Sequence, residues 1–299
     1  MHNVRRFFIG MMVLALVVPM AFANGQGEGD AQKTARLTYV NWEEGVAYTH
    51  LAQSILEDEM GYEVEIVAAD VGPAYQAVAT GDMDAFMEAW LPGLHASYMD
   101  ELGDSLVDLG TIYEDALSGL VVPQYMIDAG VESVSDLRSD EAVDRLDGEI
   151  NGIDAGAGIM ITTEEEAMPS YGLDEAGYEL VASSGPAMMA ALETAYQNEE
   201  WIVVTGWQPH SMFGYFDLEI LEQDEDEVWG VDNIHILGRT GLESEKPELA
   251  AFLGNMEMNT AEMGALMVHI AESDMDTLDA AREWKNENTD IWSDWVPSM

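Results

Sequence analysis

Residues 201–210 read Trp201-Ile202-Val203-Val204-Thr205-Gly206-Trp207-Gln208-Pro209-His210, an apolar, β-branched run that breaks at a Trp-x-Pro step and ends in histidine. Residues 85–95 follow the same plan: Ala85-Phe86-Met87 leads into Trp90-Leu91-Pro92, and His95 follows. β-Branched and aromatic runs bounded by proline read as strands, so each passage is expected to end a strand at its tryptophan. The preceding residues repeat as well. Gly45-Val46 corresponds to Gly158-Ile159, and Gly72-Pro73-Ala74 to Gly185-Pro186-Ala187, with an interval of 27 residues in both halves. Three coincidences in one order predict two lobes of similar design.

The alternation fixes the class. Strands are expected over residues 37–41, 62–67, 149–153 and 178–181, with helical segments over about 46–60, 74–80 and 187–196. Strands alternating with helices predict an α/β fold with mostly parallel strands. Residues 119–123 read as a crossover strand, and the chain returns from about residue 234, with helices near 247–255 and 259–271. The expected organisation is two α/β lobes facing each other across a cleft. Residues 36–122 plus 234–299 make lobe I, and residues 123–233 make lobe II. Open α/β sheets bind ligands beyond the carboxyl ends of their strands, where both lobes place their tryptophans.

The chain has 299 residues, 48% of them hydrophobic, which is enough for a folded core and two lobes. Acidic residues number 58 against 10 basic ones, a net charge of −48. Such a surface repels phosphate backbones, so nucleic acid is excluded as a partner. Excess acid with scarce lysine is what a protein bathed in strong brine tolerates, because salt shortens the screening length to ~3 Å at 1 M. With no cysteine, there are no disulfides, thiolate metal sites or lipid attachment at an N-terminal cysteine.

Residues 1–23 read as a signal peptide. Arg5 and Arg6 precede an apolar run from Phe7 to Phe22, and Ala21-Phe22-Ala23 has the form of a cleavage site. Residues 24–35 read as a flexible mature N-terminus. The expected product is periplasmic, cleaved after Ala23.

Val40-Asn41-Trp42, Asp70-Val71-Gly72-Pro73, Trp90-Leu91-Pro92 with His95, the stretch Gly152 to Met160, Ser184-Gly185-Pro186-Ala187 and Thr205-Gly206-Trp207-Gln208-Pro209-His210 resemble the glycine betaine-binding proteins of ABC importers. The resemblance runs over about residues 37–255, with motifs from both lobes in order. It implies a two-lobed periplasmic-binding-protein fold with a hinged interlobe cleft, and a substrate-binding subunit for osmoprotectant uptake, with a membrane permease as partner, no cofactor, no metal and no catalytic residue. It implies further that Trp42, Trp90 and Trp207 cage a quaternary ammonium. The ligand carboxylate would meet His95 and the backbone amides of Gly158 and Ile159. Ser211 departs from the family, which often carries a large aromatic there.

The chemistry of the residues agrees. A trimethylammonium offers no hydrogen-bond donor, whereas an aromatic face attracts it by ~0.5–2 kcal/mol. The anionic pole needs donors, and amides at a helix start supply them. A lone tryptophan at a strand end is more often core; these three are singled out because their spacings converge on one cleft. Trp201, Trp229, Trp284, Trp292 and Trp295 read as packing or surface residues, and His50, His235 and His269 as structural. His210 reads equally as an orienting or a structural histidine. Two other functions remain open: the same scaffold serving choline or carnitine, and an exported carbohydrate-active enzyme, since tryptophans also stack sugars and carboxylates cleave glycosides.

Overall fold

The computed structural model describes residues 33–298. The segment read as a signal peptide, with its expected cleavage site, lies outside the described residues. Strands β1 (Thr34–Tyr39), β2 (Glu63–Ala68) and β3 (Ala85–Leu91) precede the long β4 (Leu106–Pro123). The later half contributes β5 (Glu149–Asn151), β6 (Glu179–Val181), β7 (Val204–Gln208), β8 (Leu218–Ile220) and β9 (Val231–Arg239). Thr34 and Ala35, expected in the flexible start, already pair with Glu63 and Val64.

The strand order is β2-β1-β3-β9-β4-β7-β5-β6, with β8 against β4. β1 runs parallel to β2 and β3, and β5 runs parallel to β6 and β7. β4 and β9 are antiparallel to their neighbours and join the two parallel groups into one hydrogen-bonded path. The crossover strand is therefore much longer than residues 119–123. Leu117 marks where β4 changes partners, because it pairs with Val231 of β9 and with Gln208 of β7.

Local chemistry explains the elements that carry tryptophans. β3 is buried on both faces from Ala85 to Trp90, which accounts for its almost continuous apolar run. Glu43 and Glu44 occupy the first turn of the helix Glu43–Asp58, where the helix dipole favours acid. Ser184 caps the helix Gly185–Gln197 through its side chain, and Pro186 sits in its first turn. The helix Pro247–Asn255 falls where the sequence places it.

The tail beyond the repeat packs against the first half. Helices Thr260–Glu272 and Thr277–Glu287 pack on the helix Glu43–Asp58. Trp284, Trp292 and Trp295 are buried there, and Lys285 bonds Asp58 and Glu59 at 2.8 Å each. The fully buried Asp84 takes Lys246 at 2.7 Å, Arg239 at 3.1 Å and the amide of Arg36 at 2.9 Å. Burial pushes the Asp84 pKa up, but these donors outweigh it and hold the carboxyl below its ordinary range. Lys246 and Arg239 thus sit on a carboxylate that folding has removed from water, whereas the buried Lys285 meets the exposed Asp58 and Glu59.

Candidate functional site

Four segments deliver the candidate residues to one place. Trp42 is the residue before the helix Glu43–Asp58, and Trp90 lies near the end of β3. His95 precedes the helix Ala96–Leu102, and Trp207 lies in β7. Gly158 and Ile159 are the first residues of the helix Gly158–Thr162. All six line one tight space, together with Leu94, Ser118 and Ile153.

The three indoles stand as walls. Ring centroids are 5.8 Å apart for Trp42 and Trp207, 6.4 Å for Trp90 and Trp207, and 6.5 Å for Trp42 and Trp90. The planes cross at 53°, 82° and 80°, so the rings enclose space instead of stacking. Trp42, Trp90 and Trp207 are 5%, 2% and 3% exposed. Water is therefore largely kept from their faces, which strengthens attraction to a cation.

His95 is fully buried, and its orientation is fixed from behind. The Trp90 backbone N–H donates to Nδ1 at 3.1 Å, and the Tyr75 hydroxyl lies 3.3 Å from the same atom. An accepting Nδ1 places the ring proton on Nε2. Nε2 is buried with no partner among the described residues, so it is a donor without an acceptor. Burial pushes the His95 pKa down to about 3, and the ring is neutral. The loop before it is held by Asp232, whose carboxylate accepts from Gly93 N–H at 2.5 Å and Leu94 N–H at 3.2 Å.

The amides of Gly158 and Ile159 open their helix, where N–H groups have no partner within the helix. Position 158 has a packing reason to be glycine. A Cβ on Gly158 would stand 2.1 Å from the carbonyl oxygen of Leu94. The glycine is required because backbone from the two halves meets there.

His210, the repeat partner of His95, is placed differently. Its Nδ1 accepts from Met212 N–H at 3.1 Å and lies 3.5 Å from Glu43. It lines an adjoining groove with Glu43, Ser211 and Phe216, outside the space the indoles enclose. Burial pulls its pKa down against the opposing effect of Glu43. Ser211 donates its N–H to Glu43 at 2.9 Å and its hydroxyl at 2.7 Å. This rim is a hydrogen-bonded bridge between the halves where the resemblance suggests aromatic packing.

Sequence reasoning missed Leu94, Ser118, Ile153, Tyr75 and Asp232, none of which carries a local signal. Trp201 is half-buried under the Arg145 guanidinium at 3.7 Å, away from the three indoles. Among the described residues, no cluster of His, Asp or Glu could hold a metal ion.

The family model described as the substrate binding domain of ABC-type glycine betaine transport systems matches residues 33–287. The glycine betaine/carnitine transport binding protein GbuC of Listeria monocytogenes is 37% identical over 150 residues. That match spans 50% of this chain and 49% of the relative, about half the length of each. Lactococcal OpuAC, solved closed with glycine betaine, superposes with a TM-score of 0.81 at 33% identity, covering 89% of this chain and 100% of that one. The Borrelia burgdorferi glycine betaine/L-proline-binding protein ProX gives a TM-score of 0.83 at 32% identity, covering 89% and 97%.

Proposed function

The chain belongs to the family of substrate-binding domains of ABC-type glycine betaine transport systems, and from that premise we propose that it captures glycine betaine outside the cytoplasm and delivers it to a membrane permease. That family binds substrates and is not one of enzymes, which removes the carbohydrate-active alternative. The trimethylammonium would sit among Trp42, Trp90 and Trp207. The carboxylate would accept from His95 Nε2–H and from the amides of Gly158 and Ile159. The observation that carries this reading is the pairing of an aromatic enclosure with a buried, unpartnered donor in one space.

The ligand would hold the two halves together. Residues 36–122 with 234–299 would form one lobe and residues 123–233 the other, with bending where β4 changes partners at Leu117. Closure around a small ligand by hinge motion is a common device. The N-terminal segment would direct export and then be removed.

Calorimetric titration with glycine betaine, proline betaine, choline and glycine tests the proposal. Glycine betaine should bind, and glycine, lacking the methyl groups, should not. If choline bound more tightly than betaine, the carboxylate pole would be misassigned and choline would become the ligand.

A further inference from the structure

Glu44 lies two residues after Trp42, and Glu88 lies two residues before Trp90. Both are fully buried. A Cβ on Gly45 would stand 2.0 Å from Glu88 Oε2, so the Glu88 carboxyl fills the space beside the backbone next to Glu44. The two carboxyls face each other, with the Tyr48 and Tyr113 hydroxyls around them and the Trp207 indole N–H beside Glu44. None of the carboxyl oxygens reaches a hydrogen-bond donor among the described residues.

The contrast with Asp84 is informative. That buried carboxylate has Lys246 and Arg239 on it, whereas among the described residues Glu44 and Glu88 pair with neither lysine nor arginine. Adjacent buried carboxyls cannot both ionise without a counter-charge. The described residues supply none, and the Trp207 side chain beside Glu44 joins the pair to the wall of the enclosure.

We propose that Glu44 and Glu88 are a positioning pair for a cationic ligand: Glu44, at the indole N–H of Trp207, supplies the negative charge behind the cage, and Glu88 stays neutral by keeping the pair's proton. This rests on the reading of the three indoles as a cation site. A carboxylate at the N–H edge enriches the ring face and adds Coulomb attraction in a medium that screens poorly.

The pair also predicts proton linkage. Burial pushes Glu44 up to about 8, with Glu43 raising it further, and Glu88 well above its ordinary value. The other facing groups do not interfere. Tyr48 and Tyr113 are pushed well above their ordinary values, and the neighbouring His210 and His95 are pushed down. A bound cation favours the carboxylate, so binding at neutral pH should release a proton from Glu44. Affinity should then rise with pH toward the free-state pKa and level off above it.

The test is calorimetry on the full chain with glycine betaine and the carbon isostere that lacks its cation, 3,3-dimethylbutanoate, in buffers of different ionisation enthalpy. Betaine should bind with proton release at neutral pH and gain on the order of ten-fold in affinity from about pH 6 to pH 9. The isostere should show neither effect. Glu44→Gln should abolish both and narrow the preference for the cation. Glu88→Gln should preserve the preference, the proton release and the position of the rise, since Glu88 is neutral in the pair and the amide keeps a donor toward Glu44. Betaine binding without proton release or pH dependence overturns the pair and leaves the cage intact. So does a Glu44→Gln variant that retains both. Failure of the wild type to bind any quaternary ammonium overturns the cage and the pair together. If Glu44→Gln does not fold, the wild-type proton count and Glu88→Gln decide.

Discussion

The backbone N–H of Trp90 donates to Nδ1 of His95 at 3.1 Å, so one cage candidate sets the tautomer of the other pole's donor. The remaining proton is forced onto Nε2, which faces the enclosed space without a partner. Because burial holds the ring neutral, with its pKa down to about 3, His95 itself adds no titration step near neutrality. His95→Ala should therefore weaken glycine betaine much more than choline, which lacks the carboxylate. A hydrogen bond to a charged acceptor contributes ~1.5–3 kcal/mol, about ten-fold or more in affinity. The ratio of the two dissociation constants in wild type and variant is the measurement. An unchanged ratio would show that His95 does not read the carboxylate.

Trp90→Ala should remove a wall of the enclosure and cost ~1–3 kcal/mol of betaine binding, roughly ten- to a hundred-fold. Trp201→Leu is the control, because Trp201 stacks under Arg145 elsewhere. Tryptophan fluorescence on ligand addition should respond in the control and respond less in the Trp90 variant. Equal affinities in the two variants would place the ligand elsewhere.

Gly158→Ala should harm binding although it adds only a methyl group. Its Cβ would collide with the Leu94 carbonyl oxygen at 2.1 Å, which is backbone and cannot swing aside. The halves should close less fully, and affinity for both betaine and choline should drop on the order of ten-fold or more. Solution scattering with saturating ligand should report a more open particle than the wild type. Closure as complete as the wild type's would mean that this contact relaxes freely.

Glu43→Ala should speed ligand release. Glu43 accepts both the N–H and the hydroxyl of Ser211 across the rim, and bonds to a charged group contribute ~1.5–3 kcal/mol. Stopped-flow fluorescence should show dissociation accelerated by about ten-fold with association little changed, since interface losses appear mainly in the off-rate. An off-rate equal to the wild type's would remove the bridge from the closing mechanism.

Salt should stabilise the fold. With a net charge of −48, self-repulsion acts across most of the surface, and screening lengths contract from ~10 Å at 0.1 M to ~3 Å at 1 M. The melting temperature should climb as sodium chloride is raised over that interval and beyond. A flat or falling trend would remove the link between the acid excess and salt.

What the residues determined by themselves was the repeat and its chemistry. Strand-helix alternation follows from local propensity and proline and glycine punctuation, so the α/β class and the helix Pro247–Asn255 were legible. Trp42, Trp90, Trp207, His95, Gly158 and Ile159 could be named because their motifs resemble those of glycine betaine-binding proteins, and the fold brings all six to one space. Tertiary structure decided what depends on partners distant in sequence. The length of β4 and its change of partner at Leu117 come from β9 and β7. The roles of His95 and His210 diverge because Trp90 N–H holds one and Met212 N–H holds the other. The necessity of Gly158 comes from Leu94, and the isolation of Glu44 with Glu88 from the absence of any cation beside them. Residue order encodes propensity and pattern directly, but a hydrogen bond, a collision or a missing counter-charge exists only once the chain has brought distant segments together.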